Sequence, residues 1–221
     1  MEVLPVTPER WPDLVELFGP NGASSGCWCM WFRVAPKTWS ENGGAGNQAA
    51  MERVVAGGDV PGLIAYDDGQ PVGWISVAPR KAFERIEGPE QGDGRGPTSP
   101  AGRSVWSVVC FFIRPGRRGQ GVGRALLEAG IERARAHGAD VLEAYPVERD
   151  SPSNADAFTG LRSMFEKAGF REVGRFDRWR AVPAASSAEA KLLVRPHGRP
   201  TAAPAIGRRW SGSSRAPRCP G

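Results

Sequence analysis

Residues 108–127, VVCFFIRPGRRGQGVGRALL, constrain the fold of this chain more than any other stretch. Val108, Val109, Cys110, Phe111, Phe112 and Ile113 follow one another without a polar break, the mark of a strand covered on both faces. Downstream, Leu126, Leu127, Gly130, Ile131 and Ala134 recur at helical spacing. Between the two, Gly119, Gly121 and Gly123 remove the Cβ atoms that would hold an anion away, so main-chain N–H groups at the helix start can point at a group of pyrophosphate size. A strand, an anion-cradling loop and a helix are expected in that order.

Spacing separates the phosphate loops that share this outline. A P-loop requires Lys followed by Ser or Thr after its last glycine, and here Arg124 follows Gly123. A dinucleotide fingerprint requires G-x-G-x-x-G, and Arg124 stands where the last glycine belongs. What fits is R-x-x-G-x-G, from Arg118 to Gly123, after a strand that ends Ile113-Arg114-Pro115.

That segment resembles the acetyl-CoA loop of the GNAT superfamily of N-acetyltransferases. The resemblance extends to Val141-Leu142-Glu143-Ala144-Tyr145 as the next strand, Asn154-Ala155-Asp156-Ala157 as the opening of a later helix, and Phe165-Glu166-Lys167-Ala168-Gly169-Phe170 as its ending. Upstream, residues 62–66 and 71–77 around the turn Asp67-Asp68-Gly69-Gln70 read as a hairpin, matching the family's paired early strands. The resemblance covers roughly residues 1–182 and implies an α/β (α+β) fold: a mixed, mostly antiparallel sheet with one splayed parallel strand pair, flanked by helices.

It also implies acetyl-CoA as co-substrate and direct acetyl transfer to an amine of a small-molecule or peptide acceptor. Phe111, Phe112 and Ile113 would offer main chain to the pantetheine arm. Arg117, Arg118, Gly119, Gln120, Gly121, Val122, Gly123 and Arg124 would hold the pyrophosphate, with Asn154 and Phe165 also at the cofactor. In the catalytic positions the chain departs from the family: its usual glutamate base falls near Ser107, and its usual tyrosine acid aligns with Phe165. The proton chemistry is therefore assigned to Tyr145, at the strand end where the pair opens, and to Ser107 acting through water. Trp28, Trp31, Phe32 and Trp39 lie in the region that borders the acceptor in the family and hint at an apolar or aromatic acceptor, although the same residues would also build core. The alternative is a non-catalytic acyl-CoA-binding regulatory module that kept the cradle and lost the chemistry.

The formal net charge of +5 would suggest nucleic acid, but it is unevenly placed. Residues 183–221 carry Lys191, Arg195, Arg199, Arg208, Arg209, Arg215 and Arg218 against Glu189, leaving residues 1–182 close to neutral. The chain divides into an acetyltransferase domain over 1–182 and a Pro/Ala/Arg-rich tail over 183–221, expected to be disordered beyond a short strand at Leu192-Leu193-Val194. The tail reads first as a solvated basic segment, and no nucleic acid partner is expected save through it; a homodimer is an allowed assembly. Cys27, Cys29, Cys110 and Cys219 form neither a disulfide framework nor a zinc-ligand spacing, and His137 and His197 sit in unrelated contexts, so no metal is expected. Without an apolar run of about 20 residues or a secretory leader, the expected setting is cytoplasmic and off the membrane.

Local pattern supplies the remaining elements. A strand at residues 2–5 leads to Thr7, a helix cap, and Pro8 opens a helix with Trp11, Leu14, Val15 and Phe18 on one face. Residues 21–39 read as partly helical, with Cys27 and Cys29 packed among Trp28, Met30, Trp31 and Phe32, and a second amphipathic piece at 49–55 stops at Gly57-Gly58. Residues 87–103 are a polar Gly/Pro-rich loop with the length of a lid. Ser153 caps a helix whose Phe158, Leu161, Met164 and Phe165 face inward, and a last strand spans 176–182.

Overall fold

The computed structural model describes residues 1–87, 102–146, 157–175 and 191–194. The strands are β1 (Glu2–Pro5), β2 (Gly62–Asp67), β3 (Gln70–Pro79), β4 (Val105–Ile113), β5 (Val141–Ala144), β6 (Arg171–Arg175) and β7 (Lys191–Val194). The helices are α1 (Trp11–Phe18), α2 (Pro36–Ala56), α3 (Glu84–Glu87), α4 (Val122–Ala136) and α5 (Arg162–Lys167). One sheet runs β1-β2-β3-β4-β5-β7-β6. The first four strands pair antiparallel and β4 pairs parallel with β5, as a mixed sheet requires. Parallel pairing then continues past the single pair expected, because β7 lies parallel to both β5 and β6.

Alternation along the strands divides the core between the two faces. On one face α4 lays Val122, Leu126, Leu127 and Ala134 against Val72, Ile75, Val77 and Val108. On the other, α1 and α2 bring Leu14, Leu17, Phe18, Met51 and Val55 onto Ile64 and Trp74. Leu126 and Leu127 are fully buried, contributing about 1.5–3 kcal/mol each at the usual worth of such side chains. Helix α4 sits low on the sheet because Gly73 has no side chain: a Cβ there would come within 2.6 Å of Val122 Cγ1 and 3.0 Å of Leu126 Cδ1. Among the described residues no helix is long and apolar enough to cross a membrane.

Several local expectations are corrected. Residues 21–35 hold no α-helix; they fold as successive turns in which Ala23, Ser25, Trp28 and Cys29 all have positive φ. The apolar spacing there comes from side chains of a left-handed turn run folding inward, which helical periodicity does not describe. Helix α2 starts at Pro36, well before residue 49, and passes through a kink where Gly43 is non-helical. Helix α5 begins at Arg162 with Leu161 as its cap in extended conformation, which leaves the Leu161 side chain 39% exposed where it was expected inside. A strand forms at Arg171–Arg175, ahead of the expected one. Ser153, Asn154, residues 176–182 and most of the loop read as a lid lie outside the described residues.

Candidate active site

Strands β4 and β5 pair from Val105–Val141 to Val108–Ala144 and then part. At the same level β4 bulges: Val77 faces Val108 while the next residue, Ser76, faces Cys110, so Val109 is the extra residue. Beyond it Phe111, Phe112 and Ile113 stay paired to Ile75, Trp74 and Gly73 of β3, and no ladder among the described residues occupies their other edge. The strand thus presents an open main-chain edge that leads directly into the glycine loop.

In that loop the left-handed residues are Gly116 (φ 84°), Gly119 (φ 76°) and Gly121 (φ 82°). No atom lies within 4 Å of where a Cβ would stand on any of them, so backbone conformation and not crowding requires glycine there. Gly123 has a different part. It lies in α4, where a Cβ would rest 3.4 Å from both Ile113 Cδ1 and Met164 Sδ. Gly121 caps α4, and the N–H groups at the start of this helix face the loop with no carbonyl a turn before them to accept their bonds. The Gln120 amide donates to the Gly116 carbonyl at 2.9 Å and ties the loop across its mouth. Arg117 donates to Asp67 at 2.7 Å, Arg118 is exposed, and Arg124 lies 3.7 Å from Glu128 along the helix surface. Phe165 is wholly buried in edge contact with Phe111 and Phe170, which makes it part of the wall beneath the open edge.

Ser107 and Tyr145, far apart in sequence, meet on one carboxylate. Ser107 Oγ donates to Glu143 Oε1 at 2.7 Å and Tyr145 Oη donates to the same oxygen at 2.6 Å. Arg80 Nε lies 3.6 Å from it. Ser107 and Glu143 are fully buried, and Arg80 and Tyr145 each keep 5% of their surface. Register explains the meeting: Ser107 pairs with Glu143 across β4 and β5, and Tyr145 follows two residues on, on the same face. Phe32, Ala78, Phe83, Ile86 and Val109 enclose the Tyr145 ring. Burial first, and then the charge and hydrogen bond of Glu143, hold the Tyr145 hydroxyl well above the ordinary range for tyrosine.

Residues 28–170 match the acetyltransferase (GNAT) family. The chain belongs to the GNAT acetyltransferase family. No curated protein matches it. Among solved structures it is similar to an acetyltransferase at 18% identity and TM-score 0.51, covering 80% of this chain and 93% of that one. It is also similar to a ribosomal-protein-alanine N-acetyltransferase from Brucella melitensis, at 20% identity and TM-score 0.42 over 82% of this chain and 95% of that chain. A third is an aminoglycoside N-acetyltransferase in complex with CoA, at 16% identity and TM-score 0.48 over 81% and 93%.

Within this GNAT chain, sequence reasoning missed Glu143, Arg80 and the bulge at Val109. A signal for Glu143 was present: a single acid in an otherwise apolar strand, at the spacing that puts it on the face of Tyr145, is buried and must be partnered. Arg80 and the bulge had none, since both depend on how β3 and β4 align. Trp28 and Phe32 are core residues, whereas Trp31 and Trp39 are half-buried in edge contact, with the Arg85 guanidinium over the Trp31 ring at 3.8 Å. Among the described residues no three His, Cys, Asp or Glu side chains are grouped to hold a metal ion.

Proposed function

We propose that this GNAT protein transfers the acetyl group of acetyl-CoA to a primary amine of a small-molecule or peptide acceptor by direct attack. The observation that carries the reading is the continuity of the open edge at Phe111–Ile113 with the left-handed glycine loop and the start of α4. An extended arm ending in a pyrophosphate needs such a lane, with main-chain groups along one stretch and helix N–H donors at its end. The residues present fit the group: open space at Gly119 and Gly121 leaves room for phosphate oxygens, and Arg118 stands exposed beside them.

Acetyl-CoA supplies the acyl carbon already activated as a thioester. Alkyl amines ionise near pH ~10, so the acceptor must shed a proton to attack. In the proposed path the amine nitrogen bonds to the acyl carbon, its proton passes to Tyr145 Oη, and the Tyr145 proton passes to Glu143 Oε1, which the hydroxyl already faces. As the carbon–sulfur bond breaks, the thiolate takes up one proton, returned along the same chain or from water. Ser107, bonded to the same carboxylate oxygen, orients Glu143. Holding two reactants side by side supplies much of the remaining acceleration.

Turnover of acetyl-CoA against a panel of primary amines, followed by thiol release, tests the proposal. Acetylated amine formed in step with free CoA is the expected result. Tight acetyl-CoA binding with no transfer to any amine would replace it with the acyl-CoA-binding module.

A further inference from the structure

Two thiols that take no part in this path lie against each other. Cys29, buried in the left-handed turn run, is 3.3 Å from Cys110 on β4, sulfur to sulfur, across 81 residues of sequence. The Trp74 indole N–H donates to Cys29 Sγ at 3.0 Å, Cys29 donates to Cys110, and Cys110 points its own hydrogen at the Phe111 carbonyl at 3.7 Å. This chain of donors orders both sulfurs. Neither is in a disulfide. Cys29 is further fixed by backbone geometry, at φ 53° next to Trp28 at φ 47°, a conformation that side chains other than glycine rarely hold unless their surroundings require it.

We propose that Cys29 and Cys110 form a dithiol modification site that a hydroperoxide oxidises to an intramolecular disulfide. A disulfide closes at about 2.0 Å, so the sulfurs need to approach by little more than an ångström. Cys110, the half-buried member, meets the oxidant. Its sulfur attacks one peroxide oxygen, the O–O bond breaks, and a sulfenic acid and one water or alcohol are produced. Cys29 then attacks that sulfur, the S–O bond breaks, and the hydroxide leaves with the Cys29 proton as water. Two electrons pass from the dithiol to the peroxide, and an S–S bond replaces two S–H bonds. The product ties the turn run to β4 at the residue before Phe111, where the open edge begins. Such a bond is expected to be transient in a reducing compartment, which suits a site that responds to oxidant and not one that holds the fold together.

The test uses the full chain with Cys27→Ser and Cys219→Ser, so that the pair is the sole source of thiols. Reduced protein is treated with equimolar hydrogen peroxide and mapped by mass spectrometry without reductant. The expected result is a loss of two hydrogens from the intact mass, a peptide joining Cys29 to Cys110, and recovery of both thiols with dithiothreitol. Conversion of Cys110 to sulfinic acid while Cys29 remains open to alkylation after unfolding would overturn the proposal, as would a disulfide between two molecules. If Cys27→Ser does not fold, mapping of the unsubstituted chain reads the same link against the same alternatives.

Discussion

At one end of β4 the loop through Gly121 is open to solvent and built from main chain; a few residues back along the same strand, Ser107 and Glu143 are fully buried, Tyr145 and Arg80 keep only a narrow exposed margin, and the cluster is built from side chains. The loop holds its shape through local torsion requirements, each met by a glycine within a few residues. The cluster holds its shape through register, between residues 36 positions apart in sequence. A site of the first kind tolerates change in its side chains and fails when its backbone is restricted. One of the second kind loses stability when a partner is removed, most of all the charged one, because each group left behind is buried with its charge or dipole unsatisfied.

The contrast is broken most readily at Glu143. Replacing it with Leu leaves the Arg80 guanidinium and two hydroxyls without their carboxylate, and urea unfolding should show a loss of about 3–5 kcal/mol. An unchanged midpoint would mean that Arg80 finds another anion and the cluster is not one unit. Tyr145→Phe keeps the ring and removes the proposed relay: turnover should fall about 100-fold or more while acetyl-CoA affinity by calorimetry stays near the parental value. Ser107→Ala should cost less. Full activity in Tyr145→Phe would leave the chemistry to solvent and positioning.

At the loop, Gly121→Val forces a β-branched residue into φ 82°, a strain of about 1–3 kcal/mol that should weaken acetyl-CoA about tenfold. Arg118→Ala, at an exposed position, should weaken it less. The reverse order would show that charge, and not backbone, makes the cradle.

The smallest effect is at high pH. Folded protein keeps the Tyr145 proton where an unfolded chain releases it near pH ~10, so protons are bound more tightly in the folded state and stability falls as pH rises past that point. Tyr66, raised by burial and by its bond to Asp13, contributes to the same limb. In a Tyr66→Phe background, adding Glu143→Gln should make the fall in melting temperature shallower; an identical slope would uncouple Tyr145 from Glu143.

The same division explains what could be read before the structure. The glycine loop, the hairpin of β2 and β3, the run of α4 and the crossover to β5 all rest on patterns within a dozen residues, and these were legible. Ser107 and Tyr145 each stand out in the sequence by their own chemistry, but nothing local says that a single oxygen of Glu143 joins them or that Arg80 lies beside it. The bulge at Val109 was equally hidden, since it exists only in the alignment with Ser76 and Val77. The turn run at residues 21–35 misled because its inward aromatics mimic helical spacing, while Gly22 and Gly26, both at positive φ, mark it as something else.

Gly73 extends the reach of the loop beyond its own residues. It lies on β3 and donates nothing to the cradle, yet its bare Cα sets how deeply Val122 and Leu126 settle, and Val122 is the first residue of α4. A single methyl at position 73 would act as a wedge under one end of a stiff rod, lifting the helix start and its N–H donors away from the plane of Phe111–Ile113. On the proposed reading, the two stretches of main chain that hold acetyl-CoA at two points would then be out of step, although every residue assigned to its binding were unchanged. The spacing between arm and phosphate is in this sense gauged by an atom that is not there.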